Sequence, residues 1–188
     1  MSVDGNIFVF QRDGFDGGLA PMAPAGINRH VIETNNSVPI RALMREIVQV
    51  RTIRFAGANR VKLTILAHGI TESDGRFWIH VADGLDERNI GVVSDLAPLG
   101  LVKIVSRACG PIDESAVHAV RPTGYPSMRR LYSEFARVAG TEVIAGERQQ
   151  QVNIGIRPER VVRTTSWIGT RFVYHPDGSR LGILPSED

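Results

Sequence analysis

The only cysteine of this 188-residue chain closes an apolar run, Val102-Lys103-Ile104-Val105-Ser106-Arg107-Ala108-Cys109-Gly110. The only His-Gly pair closes a similar run 41 positions upstream, Val61-Lys62-Leu63-Thr64-Ile65-Leu66-Ala67-His68-Gly69. A short apolar run that ends on a reactive side chain predicts a buried parallel strand, with that side chain at its carboxyl end. In open α/β sheets this edge is where ligands bind. We therefore expect His68 and Cys109 at one edge of one sheet.

The chain between the two runs is long enough for a helical crossover. Residues 86–97 begin with acidic side chains, and Ile90, Val93, Leu96 and Ala97 form an apolar stripe that predicts a helix ended by Pro98. A strand, crossover and strand of this size is nearly always right-handed, which makes the two strands parallel. As neighbours they would lie about 4.8 Å apart.

The remaining pattern alternates strands and helices. A helix is predicted after Ser37-Val38-Pro39, with Ser37 as N-cap and Pro39 in the first turn. Further strands are expected at 6–11, 29–34, 76–81 and 141–145, and a further helix at 126–139. The sequence thus predicts an α/β fold with a mostly parallel sheet flanked by helices. A single domain is expected over 1–188, with a core at about 5–150 and a C-terminal antiparallel hairpin at about 151–188.

The His68-Gly69 and Ala108-Cys109-Gly110 pairs resemble the motifs of caspase-like cysteine peptidases, the clan that includes gingipain, clostripain, legumain and separase. The caspase signature is Gln-Ala-Cys, then Arg, Gln or Gly, then Gly, with the histidine about 50 residues upstream. Arg107-Ala108-Cys109-Gly110-Pro111 departs from it at the first and last positions. Residues 125–145 also resemble the helix and strand that follow the cysteine in bacterial caspase-like domains. The resemblance covers about residues 60–150 and implies a three-layer sandwich.

This resemblance implies a cysteine endopeptidase that uses a His/Cys dyad. Cys109 would attack a peptide carbonyl as its thiolate, and His68 would help to form that thiolate and protonate the leaving amine. The backbone amides of Gly69 and Cys109 are the donors that the family uses for the oxyanion. The resemblance calls for no cofactor and no metal.

Three residues are candidates for substrate binding. Arg107 takes the position of a pocket-lining glutamine in caspases, and strand alternation would place it on the same face as Cys109. Arg12 and Asp13 follow the first strand, where members of the clan keep the residue that recognises the P1 side chain. An arginine in the pocket would favour an acidic P1 residue and an aspartate a basic one, and we expect an acidic one.

Two alternative hypotheses for the function stay open. The fold could carry a vestigial dyad and act as a binding or adaptor module, because a cysteine at a strand end is often only a small buried hydrophobe. A flavodoxin-like ligand-binding domain would need a phosphate loop, and the glycine-rich stretch at 13–18 matches neither usual pattern. His80 is assigned to an alternating strand, and the spacing of the histidines does not match a metal site.

The composition excludes several classes of function. Twenty arginines and two lysines balance twenty acidic residues to a net charge of +2, and no basic run is interleaved with aromatic residues. A nucleic-acid partner is therefore not expected, and no apolar segment is long enough for a membrane span. The expected partners are a peptide or protein substrate and an inhibitor or regulatory protein. A cytoplasmic location, or export without a cleavable signal peptide, is expected.

Overall fold

The computed structural model describes residues 4–13, 28–108, 125–146, 150–157, 160–167 and 171–183. The strands are β1 Gly5–Gln11, β2 Arg29–Thr34, β3 Val61–Leu66, β4 His68–Thr71, β5 Phe77–His80, β6 Lys103–Ser106, β7 Val143–Gly146, β8 Gln150–Arg157, β9 Arg160–Trp167, β10 Arg171–Tyr174 and β11 Arg180–Ile183. The helices are α1 Ile40–Ile53, a 3₁₀ helix at Ile90–Leu99 and α2 Tyr125–Ala139.

In the described part of the chain, seven strands form one sheet in the order β11-β10-β7-β6-β3-β1-β2. The five strands from β7 to β2 are parallel, while β10 and β11 are antiparallel to their neighbours. The predicted α/β class with a mostly parallel sheet is therefore confirmed. The C-terminal region adds an antiparallel hairpin, β8–β9, and the β10–β11 pair, which extends the main sheet beyond β7.

Helix α1 forms where the sequence predicts it, but its first turn is capped differently. Pro39 is the N-cap residue, and Ser37 instead donates its hydroxyl to the side chain of Asn35 at 2.5 Å. The first helical amide, that of Ile40, donates to the carboxylate of Asp83 at 2.8 Å. The expected Ser37 cap is wrong because a carboxylate from another part of the chain satisfies the helix terminus.

The second predicted helix is a 3₁₀ helix, which runs to Leu99 instead of ending before Pro98. Its buried residues recur every three positions, at Ile90, Val93, Leu96 and Leu99, and Ala97 is exposed. This spacing fits three residues per turn, whereas an α-helical stripe would bury Ala97. Gly100 ends the helix in a left-handed conformation at φ 59°.

The helices pack as a row on the sheet. The 3₁₀ helix contacts both α1 and α2, and the buried side chains of all three join one hydrophobic core with alternate residues of the strands. The opposite face of the sheet carries a smaller buried cluster, Phe8, Phe10 and Leu66. Both faces of β1 are therefore buried. None of the helices in the described ranges has the length and apolarity that a bilayer crossing requires.

The direction of strand addition reverses at β1 in this sheet. After β1 the chain adds β2 on one side of it, and then adds β3 on the other. In open α/β sheets ligands usually bind at the carboxyl ends of the strands at such a reversal, which here are the carboxyl ends of β1 and β3.

Candidate functional site

His68 lies at this edge of the sheet because it follows β3 almost directly. Strand β3 ends at Leu66, and the chain then forms the hairpin β4–β5, in which His68 lies opposite His80. Both imidazoles are half-buried. The turn of the hairpin contains Asp74-Gly75, a pair that favours tight reversals, and Gly75 has a φ of 84°.

The two faces of the hairpin differ in burial. One face is buried, and the other presents half-buried side chains: His68, Ile70, Trp78 and His80. The rings of Trp78 and His80 lie 5.0 Å apart between centroids. The half-buried face therefore combines two imidazoles with the side chains of Ile70 and Trp78, just beyond the carboxyl end of β3.

The amide of Gly69 points away from β5. The amide of Glu72 donates to the Arg76 carbonyl at 2.8 Å. The amide of Ile79 donates to the Leu85 carbonyl, and the Ile79 carbonyl accepts from the Leu85 amide, so neither group of Ile79 bonds to β4. Since hydrogen-bonded and non-hydrogen-bonded pairs alternate in an antiparallel ladder, Gly69 and Ile79 form a non-hydrogen-bonded pair. The N–H of Gly69 therefore has no partner on β5.

The same alternation makes His68 and His80 a hydrogen-bonded pair. Their α-carbons are therefore about 5.5 Å apart, and their side chains project from the same face of the hairpin.

Gln11, the last residue of β1, holds the end of the hairpin against the sheet. Its side chain is fully buried, and its Oε1 accepts the backbone N–H of Ala82 at 2.7 Å. Ala82 has a positive φ of 53°, which is uncommon for a residue other than glycine. The next amide, that of Asp83, donates to the Val38 carbonyl at 2.9 Å. These bonds return the chain to the carboxyl edge of the sheet just after His80.

A chain of hydrogen bonds runs from this point to His80, and its direction is fixed. Because a backbone N–H can only donate, the Gln11 atom that faces Ala82 is the oxygen, and its Nε2 therefore donates to Asn36 Oδ1 at 2.7 Å. That oxygen also lies 2.5 Å from His80 Nε2. Since Asn36 Oδ1 can only accept, His80 Nε2 carries a proton.

Asp13 lies beside Asn36 and His80, whereas the side chain of Arg12 is exposed. The Asp13 carboxylate is half-buried and accepts a hydrogen bond from the backbone N–H of Asn36 at 2.7 Å. Burial lowers the pKa of His80 below its ordinary value, the nearby His68 lowers it further, and Asp13 acts in the opposite direction. Arg12 is exposed, and its backbone amide donates to Thr34 O at 2.8 Å.

Strand β6 ends beside β3, as the sequence predicts. Ile65 pairs with Ser106, and the Arg107 amide continues the ladder by donating to Ile65 O at 2.7 Å. The buried hydroxyls of Ser106 and Tyr132 lie 3.0 Å apart and link the end of β6 to α2. Cys109, the next residue after the buried Ala108, lies outside the described residues.

No protein-family model, curated protein or solved structure matches this chain. In the described ranges, no group of three or more His, Cys, Asp or Glu side chains could hold a metal ion.

The structure thus brings His68 and Asp13 to one edge with Arg107, at the end of β6, and adds three residues that sequence reasoning missed: Gln11, Asn36 and His80. Gln11 and Asn36 could have been found as polar residues at or just beyond the carboxyl ends of β1 and β2, where such sheets place ligand-binding groups. A hairpin centred on Asp74-Gly75 would also have placed His80 opposite His68. The shared face of Arg107 and Cys109 stays a prediction.

Proposed function

We propose that this chain is a cysteine endopeptidase of the caspase-like kind, with Cys109 as nucleophile and His68 as its proton acceptor. The observation that carries the proposal is the parallel β3–β6 pair, in which Ile65 lies opposite Ser106. His68 is three residues beyond Ile65, and Cys109 is three residues beyond Ser106. Equal lengths of chain therefore connect the paired strands to the two reactive side chains.

In this mechanism the thiol proton passes from Cys109 Sγ to the imidazole of His68. The thiolate then attacks the peptide carbonyl carbon, and the carbonyl π electrons move onto its oxygen. The Gly69 N–H, which has no partner on β5, is available to stabilise that oxyanion, together with the amide of Cys109. Collapse of the intermediate breaks the C–N bond as His68 gives its proton to the leaving amine, and water then hydrolyses the thioester.

Substrate selection is proposed to involve Arg107 and Asp13. Arg107 is half-buried directly after β6, where a guanidinium could pair with an acidic P1 side chain. Arg107 is also only two residues before the proposed nucleophile, so we propose it for the P1 contact, with an acidic P1 residue as the expected preference.

The first experiment uses the fact that Cys109 is the only thiol of the chain. Iodoacetamide should alkylate the native protein near neutral pH, and His68→Ala should slow the reaction by roughly tenfold or more, because a neighbouring imidazole favours the thiolate. His175→Ala is the matched control, because His175 is also half-buried but lies beyond β10, with its Nδ1 3.2 Å from Glu142. Reaction only after denaturation would refute the proposal.

Cleavage of a fluorogenic peptide library separates the enzyme from a binding module. Cys109→Ala changes little volume and should leave the free energy of unfolding within about 1–2 kcal/mol while abolishing cleavage. A reactive Cys109 without cleavage of any library member would favour the binding or adaptor alternative. An unchanged cleavage rate in Cys109→Ala would assign the activity to other residues.

A further inference from the structure

His80 faces His68 across the hairpin, and its position has a consequence for the dyad that rests on the proposed function. We propose that His80 is a positioning residue for His68. Held by its Nε2–H on the neutral oxygen of Asn36, His80 stays uncharged and places no positive charge beside His68. His68 is then the ring that exchanges a proton with Cys109.

The pairing in the hairpin makes the two imidazoles sensitive to each other. His68 and His80 are a hydrogen-bonded pair on one face of β4–β5, where side chains are direct neighbours. Two positive charges directly opposite each other are unfavourable in such a pair. A proton on either ring therefore disfavours a second proton on the other.

The hydrogen-bond acceptor of His80 stabilises its charged form only weakly. Asn36 offers a neutral amide oxygen, which also accepts from Gln11. A neutral acceptor stabilises an imidazolium much less than a carboxylate in the same place would. Because Nε2 is fixed as the donor, Nδ1 is the unprotonated nitrogen of the neutral ring.

The charged neighbours of His80 agree with this assignment. Among the described residues, those whose charges act on its titration are His68 on β4 and Asp13 after β1, and the net result with burial is a lowered pKa. The Asp83 carboxylate, three residues beyond His80, is bound to the first amide of α1. Of these groups only Asp13 favours the imidazolium form of His80, and its carboxylate also accepts a hydrogen bond from the backbone N–H of Asn36.

The role assigned to His80 involves no transfer to or from its own ring. The thiol S–H bond of Cys109 breaks as an N–H bond forms on His68, and the same proton later leaves with the amine. An uncharged His80 prevents competition for this proton and prevents repulsion of the His68 imidazolium.

Histidine titrations by NMR in the full chain test the proposal. The His68 and His80 signals are assigned from the variants His68→Gln and His80→Gln. Asn36→Asp keeps the acceptor but adds a negative charge, so the His80 titration midpoint should rise by about one pH unit or more. The His68 midpoint should fall in the same variant. Asn35→Asp is the matched control, because it adds the same charge one residue away, where the side chain accepts from Ser37 at 2.9 Å.

Asp13→Asn provides a change of opposite sign and a second variant in case Asn36→Asp does not fold. It keeps an oxygen for the Asn36 amide but removes the charge that favours the His80 imidazolium, so the His80 midpoint should fall. The proposal is overturned if neither variant moves the His80 midpoint more than Asn35→Asp does. It is also overturned if His80 moves while His68 does not respond.

Alkylation of Cys109 in Asn36→Asp tests whether the His68–His80 pair influences the proposed His68/Cys109 dyad. A fall of one unit in the His68 midpoint lowers its imidazolium fraction by up to tenfold, and the alkylation rate at pH 7 should fall with it. Coupled histidines with an unchanged alkylation rate would overturn the positioning role. A Cys109 that is unreactive at every pH in the parent protein would instead refute the proposed function, and the histidine midpoints would report on the pair independently.

Discussion

Replacement of Gln11 by methionine should destabilise the protein, because this one side chain connects β1 to the end of the hairpin. Gln11 is fully buried, and it bonds the amide of Ala82 and the side chain of Asn36, each at 2.7 Å. Methionine has nearly the same length and volume, so the substitution removes two hydrogen bonds and leaves the packing largely intact.

The magnitude follows from burial. Ala82 is fully buried, so its N–H would be left without a partner at a cost of about 1–3 kcal/mol. The bond to Asn36 is only partly buried and contributes about 0.5–1.5 kcal/mol. Together the loss is about 1.5–4.5 kcal/mol, since the two bonds involve different partners. With a urea dependence of about 2 kcal/mol per molar, the unfolding midpoint should fall by about 1–2 M.

Equilibrium unfolding in urea, followed by circular dichroism, measures this loss. Gln49→Met is the control, because Gln49 is exposed on α1 and both residues are good helix formers. The control should stay within about 0.5 kcal/mol of the parent. The anchoring role of Gln11 would be refuted if the two variants had the same midpoint, and the hairpin would then be held mainly by its apolar face.

Two further substitutions test individual contacts of the fold by thermal denaturation. Tyr132→Phe removes the buried hydroxyl that lies 3.0 Å from Ser106 Oγ and should lower the unfolding free energy by about 1–2 kcal/mol. An unchanged unfolding free energy would mean that this contact does not stabilise the end of β6. Asp83→Ala removes the acceptor of the first amide of α1 and should lower the unfolding free energy by about 1 kcal/mol. Ser37→Ala should lower it clearly less, and the reverse order would show that Ser37 is the effective cap.

The sheet, and the edge of it that carries the candidate site, could be predicted from local pattern. The apolar runs at 61–67 and 102–108 are continuous enough to indicate buried parallel strands, and the crossover between them fixes their relative direction. The 3₁₀ helix could not be distinguished from an α-helix as easily. Ile90, Val93 and Leu96 satisfy both periods, and only the pair Ala97 and Leu99 separates them.

Contacts between distant segments account for what the sequence did not reveal. The carboxylate of Asp83 caps a helix that begins 43 positions earlier, and nothing in the local sequence indicates that pairing. His80 was correctly assigned to an alternating strand, but its neighbour His68 depends on the register of the hairpin. The direction of the bonds through Gln11 and Asn36 depends on the amide of Ala82, which only the folded backbone brings to that place.

The position of β10 in the sheet has a consequence for biosynthesis. The five parallel strands all lie within the first 146 residues, and the strand that covers the outer edge of β7 begins only at Arg171. While the nascent chain is still on the ribosome, the strands that carry the site can pair with one another before that cover emerges. The outer edge of β7 is then a transient liability for association with other chains, which the last hairpin removes.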